Sequence, residues 1–352
     1  MNTQAPVTIN DIMTATGLSR ATIDRVLNKR TGVHPRTRSH VLRVLAELET
    51  GSVRASGSTN IGSNRDSTTP FNFGMIVQAG QAFTHSLLNE VQRLAAGLAD
   101  ATFDGFASQS DDETVELIQS VGRDRNGIAV VAKNVGPVRT AIARLRMADK
   151  PVLALVSDLD PPSRSAYVGI DNRAAGQVAG FILGRCLKHL AKPKVAVVVG
   201  NFSYRCHEDR EIGFRSLLRQ RFPEVEIVEV IKGDDSREAT YEAARSLLKH
   251  RQDIAGIYNV AGGNQGLARA IEESKFAHHP LYITHELNEI TEPLIRSGTI
   301  DFLITQSLEA LLRQAKQCLI NLSLATGTVS EANYIPVQII SEFNIPSPML
   351  PT

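Results

Sequence analysis

No apolar run in the 352-residue chain approaches the roughly 18 to 20 residues needed to span a bilayer, so no membrane partner is expected. The amino terminus, MNTQAPVTINDIM, has neither a basic n-region nor an apolar h-region, which argues against export and for a cytoplasmic protein. Cysteine is scarce. Cys186, Cys206 and Cys318 share no metal or redox spacing, and an odd, scattered set fits a reducing compartment better than a disulfide framework, so they read as packing residues. HEL at 285–287 and the pair His278 and His279 have no partner ligands at zinc spacing, and no metal is expected. VAGGNQG (260–266) is glycine-rich but lacks the P-loop lysine and the dinucleotide spacing; a tight turn before a helix outweighs a phosphate cradle, and no cofactor is expected. Cys206, His207 and Glu208 are sequence neighbours, but adjacent side chains on a helix point about 100 degrees apart and make no relay. No catalytic residue is assigned, and the chain is not read as an enzyme.

What is present is enough apolar material, 42% of residues, for a sizeable core, and a length that calls for two or three globular units. The net charge of +1 is unevenly spread. Residues 1–60 hold eight Lys or Arg against four acids, about +4, which leaves about −3 for the remainder. The basic charge belongs to one small amino-terminal unit and points to an anionic partner there, with nucleic acid in the lead.

Caps and apolar spacing divide residues 7–49 into three short helices. Thr8 followed by Asp11 predicts a capping box opening a helix through about Ala15; Gly17 suits a left-handed turn; Ser19 can cap a second helix running to about Asn28. A third can start at Pro35 and run to about Glu49, presenting Val41, Val44, Leu45 and Leu48 to Ile12, Leu18, Ile23, Val26 and Leu27. This is a helix-turn-helix pattern, and Arg20, Ala21, Asp24 and Arg25 project from the start of its second helix, where base edges in a major groove are reached.

VTINDIMTATGLSRATIDRVLN, followed by GVHPRTRSHVLRVLAELE, resembles the DNA-binding domain of the LacI/GalR family of bacterial transcription regulators, with Thr8, Asp11, Gly17, Ser19, Thr22, Arg25, Asn28, Thr37 and Arg38 among the matching positions. The resemblance implies base contacts from Arg20, Ala21 and Arg25, and backbone contacts from Thr8, Ser19, Asn28, His34 and Thr37. It also implies a homodimer on double-stranded operator DNA, repressing until a ligand releases it. Two features depart from the family. Asp24 stands where serine is usual; it either pairs with Arg20 four residues earlier or accepts from a cytosine amino group in the groove. The hinge-helix motif is replaced by ETGSVRASGSTNIGSNRDSTTP, whose composition predicts a flexible linker over 50–70 and puts the family's kinking of the operator in doubt.

From Phe71 onwards, short apolar runs alternate with amphipathic segments. Strands are predicted at 73–77, 106–109, 128–132, 152–156, 167–170, 195–199, 226–231, 256–260, 282–286 and 302–306, with helices such as 84–100, 173–190, 207–221, 236–250 and 307–325 between them. Ten strands are many for one sheet, so the fold class is α/β: two doubly wound parallel-sheet lobes with a cleft at the strand carboxyl ends, behind a small all-α head.

AYVGIDNRAAGQVAGFILGRCL, HEDREIGFRSLL and ITQSLEALLRQA are similar to three segments of the same family's effector domain, which is built like type I periplasmic sugar-binding proteins. The resemblance covers 71–345 and implies three crossings, a first lobe of about 71–170 and 288–323, and a second of about 173–285 and 326–345, within a 71–352 effector-binding and dimerisation domain. It implies that Arg210 and Gln306 meet the ligand and that Gln81 and Phe83 hold the polar and aromatic places near the first helix. Ser157, Asp158, Asp171, Asn259, Asn264 and Glu286 lie near strand ends as donors and acceptors; each is otherwise a cap or a solvent-facing polar residue. Such a site suits a sugar or polyol. The expected function is a ligand-responsive DNA-binding regulator, with a cytoplasmic solute-binding protein lacking DNA function, or a sugar-acting enzyme, as alternatives.

Overall fold

The computed structural model describes residues 7–16, 18–28, 30, 33, 37–38, 41–42, 44–45, 70–95, 100–274, 276, 278–325 and 329–346. They fall into two compact units, residues 1–71 with 320–329, and residues 72–319 with 330–352.

In the first unit, α1 (Ile9–Thr16) opens on a closed capping box: the Thr8 backbone N–H donates to Asp11 Oδ2 at 2.8 Å and the Asp11 N–H to Thr8 Oγ1 at 3.3 Å. Those hydrogen bonds hold the Asp11 carboxyl below the usual range. α2 (Arg20–Leu27) starts at Ser19, whose Oγ accepts from the Thr22 N–H at 3.4 Å. Ile12, Ile23, Val26 and Val41 form a buried core, with Leu18, Leu27, Val33 and Leu45 packed against it. Within the predicted third helix, residues 37–38, 41–42 and 44–45 are helical; His34, Leu48 and the linker at 50–69 lie outside the described residues.

Asp24 does not pair with Arg20. Its carboxylate accepts from Asn28 Nδ2 at 2.7 Å and from Arg30 at 3.3 Å, beyond the end of α2. The carboxylate faces the carboxyl end of the helix because Asn28, its C-cap, and Arg30 both bring donors there, whereas Arg20 sits a turn the other way.

The second unit contains two six-stranded sheets. In the first lobe, β1 (Phe71–Val77), β2 (Ala101–Ala107), β3 (Gly127–Val131), β4 (Val152–Leu155), β5 (Ala166–Gly169) and β11 (Ala332–Tyr334) are ordered β11-β5-β4-β3-β1-β2. In the second, β6 (Lys194–Val199), β7 (Glu226–Lys232), β8 (Ile254–Asn259), β9 (Leu281–His285), β10 (Phe302–Gln306) and β12 (Val337–Ile340) are ordered β12-β10-β9-β8-β6-β7. β10 and β12 pair antiparallel, whereas β3 with β1 and β4, and β6 with β7 and β8, pair parallel. The central strands are buried along their whole length because helices cover both faces, so GIAVV and VLAL read as continuous apolar runs.

The helices are α3 (Gln81–Ala95), α4 (Asp111–Asp124), α5 (Gly136–Met147), α6 (Asn172–Leu187), α7 (Arg205–Arg221), α8 (Arg237–His250), α9 (Asn264–Glu273), α10 (Thr291–Arg296) and α11 (Leu308–Leu324). α6 and α7 pack backbone to backbone: a Cβ on Gly176 would stand 1.9 Å from the Arg210 carbonyl oxygen, and one on Gly213 would stand 2.1 Å from that of Arg173.

The lobe assignment changes in two places. Residues 288–306, expected in the first lobe, belong to the second: Ile295 of α10 packs in the second lobe's core and β10 hydrogen-bonds to β9. The chain returns to the first lobe only after Gln306, where Glu309 and Lys316 of α11 pair with Arg93 and Asp100. It then adds β11 to the first sheet, although 326–345 was expected in the second lobe, and β12 to the second; the sequence pattern announced neither short strand. The second strand also differs, lying at Ala101–Ala107 rather than 106–109.

Candidate functional site

Parallel strands carry their chain ends to one edge, and both sheets point that edge at a common cavity of about 500 Å³. Lining residues come from the starts of α3 (Gln81–Phe83), α7 (Cys206, His207, Arg210), α8 (Arg237, Glu238) and α9 (Asn264, Gln265). Four helix amino termini therefore present backbone N–H groups and the positive ends of their dipoles to the same space, an environment suited to electron-rich oxygens. Ser157 joins the lobes beside it by accepting from the Cys206 N–H at 3.3 Å. The Arg205 guanidinium reaches Asp160 at 3.3 Å, and the Asn134 N–H donates to the Ser203 carbonyl at 2.7 Å.

Arg210 is the centre of the second lobe's wall. It is 3% exposed and donates to Asn172 Oδ1 at 2.8 Å, to the Val260 carbonyl at 2.9 Å and to Glu286 Oε1 at 3.4 Å. Gln306 Nε2 donates to the same Glu286 oxygen at 3.1 Å. Burial pushes the Glu286 carboxyl above its ordinary value, although Arg210 and Gln306 pull the other way. His285 is driven well below the usual imidazole range by burial, with the charges of Arg210 and His207 adding to it and the Ile304 backbone opposing it. Its Nε2 is within 2.8 Å of the Tyr258 hydroxyl, while its Nδ1 is buried with no partner.

Beside Arg210, burial alone would raise the Cys206 thiol, but the His207 charge, hydrogen bonds from His207 and Ser157, and Arg210 outweigh it and hold the thiol below its ordinary value. His207 is raised in turn: burial opposes the charged form, and the charges of Cys206 and Asp235 overcome it. On the first turn of α7 the His207 ring is held by Asn201, whose backbone N–H and carbonyl lie 3.3 and 3.2 Å from Nδ1.

Two residues that are not glycine take the left-handed backbone region immediately after strand ends at this cavity: Val156 at φ 62° after β4 and Glu286 at φ 64° after β9. Both are pinned. The Val156 carbonyl accepts from Asn172 Nδ2 at 2.9 Å and the Tyr167 hydroxyl at 3.1 Å; the Glu286 carbonyl accepts from Thr291 Oγ1 at 2.7 Å.

Of the expected ligand residues, the cavity brings together Gln81, Phe83, Ser157, Arg210, Asn264 and Glu286. The other four are committed elsewhere. Asp158 forms a paired ion contact with buried Arg164, the second bond at 2.8 Å; Asp171 caps α6 by accepting from the Ala174 N–H at 2.9 Å. Asn259 donates to Asn264 Oδ1 at 2.7 Å, fixing a lining side chain, and Gln306 supports Glu286. They shape the wall without lining it.

A family model described as a periplasmic binding protein domain matches residues 73–325, well over half of the chain. The chain belongs to this periplasmic binding protein family. Catabolite control protein A of Priestia megaterium is 22% identical over 255 residues, 72% of this chain and 73% of that protein. Among solved structures, a glucose-galactose binding protein from Geobacillus stearothermophilus superposes with a TM-score of 0.71 at 21% identity, over 79% of this chain and all of the other. A solute-binding protein of an ABC transporter from Burkholderia graminis, in complex with D-arabinose, gives 0.72 at 19% identity over 80% of this chain and 98% of its own. These structures share the fold.

In this periplasmic-binding-protein domain the cavity also includes residues that sequence reading passed over: Tyr204, Asp235, Arg237, Glu238, Gln265, His285 and Asn288. Some lie at or near strand ends, as His285 ends β9 and Asp235 stands in the loop after β7, and that position alone is the signal by which they could be found. The family is one of binding proteins, in keeping with the reading that the chain is not an enzyme.

Proposed function

We propose that the chain is a DNA-binding transcriptional regulator of the LacI/GalR kind, a cytoplasmic homodimer that represses from an operator and is controlled by a sugar or polyol held between its lobes. The observation that carries this reading is the pairing of two unlike parts. A binding-protein body follows a head in which the basic charge is concentrated and whose helices are capped by Thr8 and Ser19. Solute capture alone gives no reason for such a head, whereas phosphate contact does. A relative named as a control protein supports the regulatory half; relatives named for glucose, galactose and arabinose support the ligand half.

Physically, a ligand that makes more contacts with one lobe arrangement than another shifts the population between them, and in a dimer this alters the spacing of the two heads. Binding of the full-length protein to DNA fragments selected from a random pool, followed against salt, tests the reading. Affinity should fall steeply with salt, and Arg25→Ala should cost about 1 to 3 kcal/mol on the selected site. Absence of salt-dependent DNA binding favours the second reading, a solute-binding protein without DNA function, which has the likeness to transporter solute-binding proteins on its side.

A further inference from the structure

Donors crowd one corner of the cavity. α8 and α9 begin side by side there, for a Cβ on Gly266 would stand 2.0 Å from the Arg237 carbonyl oxygen. Gly263, the residue before α9, takes φ 76° and no side chain caps the helix, so its first backbone N–H groups are left to whatever occupies the space. Asn264 opens that helix, lines the cavity and is 6% exposed. Its amide is oriented from behind. Asn259 Oδ1 accepts from the Ala261 N–H at 3.1 Å, so Asn259 Nδ2 is the group that donates, to the Gly262 carbonyl at 2.9 Å and to Asn264 Oδ1 at 2.7 Å. The hydroxyls of Tyr282 and Thr284 donate to the same Oδ1 at 2.6 and 2.7 Å. With its oxygen taken by three donors, Asn264 turns the N–H bonds of Nδ2 to the cavity, where they have no partner among the described residues. The charges nearby are matched elsewhere. Glu286 answers Arg210 at 3.4 Å; Asp235 stands 3.9 Å from His207 Nε2, and its Oδ1 accepts from the Gly262 N–H at 2.7 Å. Among the described residues, the carboxylate paired with the Arg237 guanidinium is Glu238, 3.9 Å away and with its side chain 82% exposed.

We propose that the adjoining starts of α8 and α9 form a subsite for an anionic group of the ligand, a carboxylate or a phosphate ester, so that the effector is an acidic sugar rather than a neutral one. The Arg237 guanidinium supplies the charge and a fork of donors. Asn264 Nδ2 and the first N–H groups of α9 add further donors, and the positive ends of both helix dipoles favour the negative group. A hydroxyl brings a proton of its own and uses such a corner only in part, whereas an anionic oxygen accepts from all of it. The inference rests on the cavity being a site for polyhydroxylated ligands and is independent of DNA binding.

Isothermal titration of the full-length protein with matched pairs tests this: gluconate against glucitol, galacturonate against galactose, and glucose-6-phosphate against glucose. At least one acid should bind about 10-fold tighter than its neutral partner, and that advantage should shrink as salt rises while the neutral sugar's affinity holds. The carboxylate and phosphate arms say which anion the subsite takes. Arg237→Gln removes the charge from a half-exposed position and should bring the two members of the pair within about 2-fold of each other. Asn264→Asp keeps the oxygen that Asn259, Tyr282 and Thr284 hold but turns the other end from donor to acceptor, and it should erase or reverse the preference. If Asn264→Asp does not fold, Arg237→Gln decides alone. Neutral sugars that bind as tightly as every acid, or an acid preference intact in Arg237→Gln, overturn the proposal and leave the sugar reading standing. Sugar acids that bind no better than acetate or inorganic phosphate, with no binding of neutral sugars, keep the anion subsite and remove the sugar reading. No binding by any sugar or plain anion of the series removes both.

Discussion

The two lobes build their walls of the cavity by opposite means. The first lobe contributes Ala79–Phe83, Val131, Val156 and Ser157: small residues, backbone and one aromatic ring, with no formal charge. The second contributes Arg210, Asp235, Arg237, Glu238, Glu286 and two histidines, most of them tied to one another or to backbone before any ligand arrives. A pre-bonded polar wall loses little side-chain entropy on binding and fixes which hydroxyls can be satisfied, whereas an uncharged wall closes over the ligand's apolar face and excludes water. Under the proposed reading, specificity would reside mainly in the second lobe and closure in the first.

The comparison breaks most severely at Arg210. Arg210→Ala leaves Glu286 as a buried acid without its cation, and calorimetric unfolding should show a loss of about 3 to 5 kcal/mol together with loss of ligand-induced stabilisation. Gly176→Ala comes next: a Cβ 1.9 Å from the Arg210 carbonyl forces α6 from α7 and should cost about 1 to 3 kcal/mol in the same measurement. Phe83→Ala tests the first lobe. Isothermal titration with the best sugar should show affinity weakened by about 1 kcal/mol while unfolding is almost unchanged, because Phe83 is only half-buried.

His285 sharpens the contrast through pH. Its folded pKa is depressed, so the unfolded chain binds the proton more readily; that stability is present above the ordinary value of 6.5 and is lost as pH falls below it. The difference in melting temperature between wild type and His285→Gln should therefore narrow or reverse from pH 7.5 to pH 5.5, about one unit either side of that value. The smallest effect belongs to the head. Asp24→Ser removes exposed bonds to Asn28 and Arg30 and should change stability by less than about 1 kcal/mol, yet selection from a random DNA pool should return a different or broader operator. Uniformly tighter binding to all DNA would make Asp24 a repulsive charge only.

What was legible in the chain is what is local. The Thr8 and Asp11 box, the Ser19 cap and the alternation of buried strand with amphipathic helix all lie within a turn or a single run, and each reads correctly. Arg210 was legible through the resemblance of HEDREIGFRSLL to a known effector-domain segment, and it lies one turn into α7. The partner of Asp24 was not, because Arg30 reaches back from beyond the helix end, where periodicity carries no information. β11 and β12 have three and four residues and owe their existence to sheet edges built by chain far upstream.

The close approach between helix backbones extends beyond Gly176. Gly266 of α9 stands so near α8 that a Cβ would lie 2.0 Å from the carbonyl of Arg237, the second arginine of the cavity. Each cavity arginine thus has a glycine of the neighbouring helix pressed against its own peptide group. For anyone retargeting the cavity to a new effector, these helices are a chassis: sequence diversity belongs at Gln81, Phe83, Glu238, Gln265 and Asn288, and a library that randomises Gly176 or Gly266 would discard its members at the folding step before any ligand is tried.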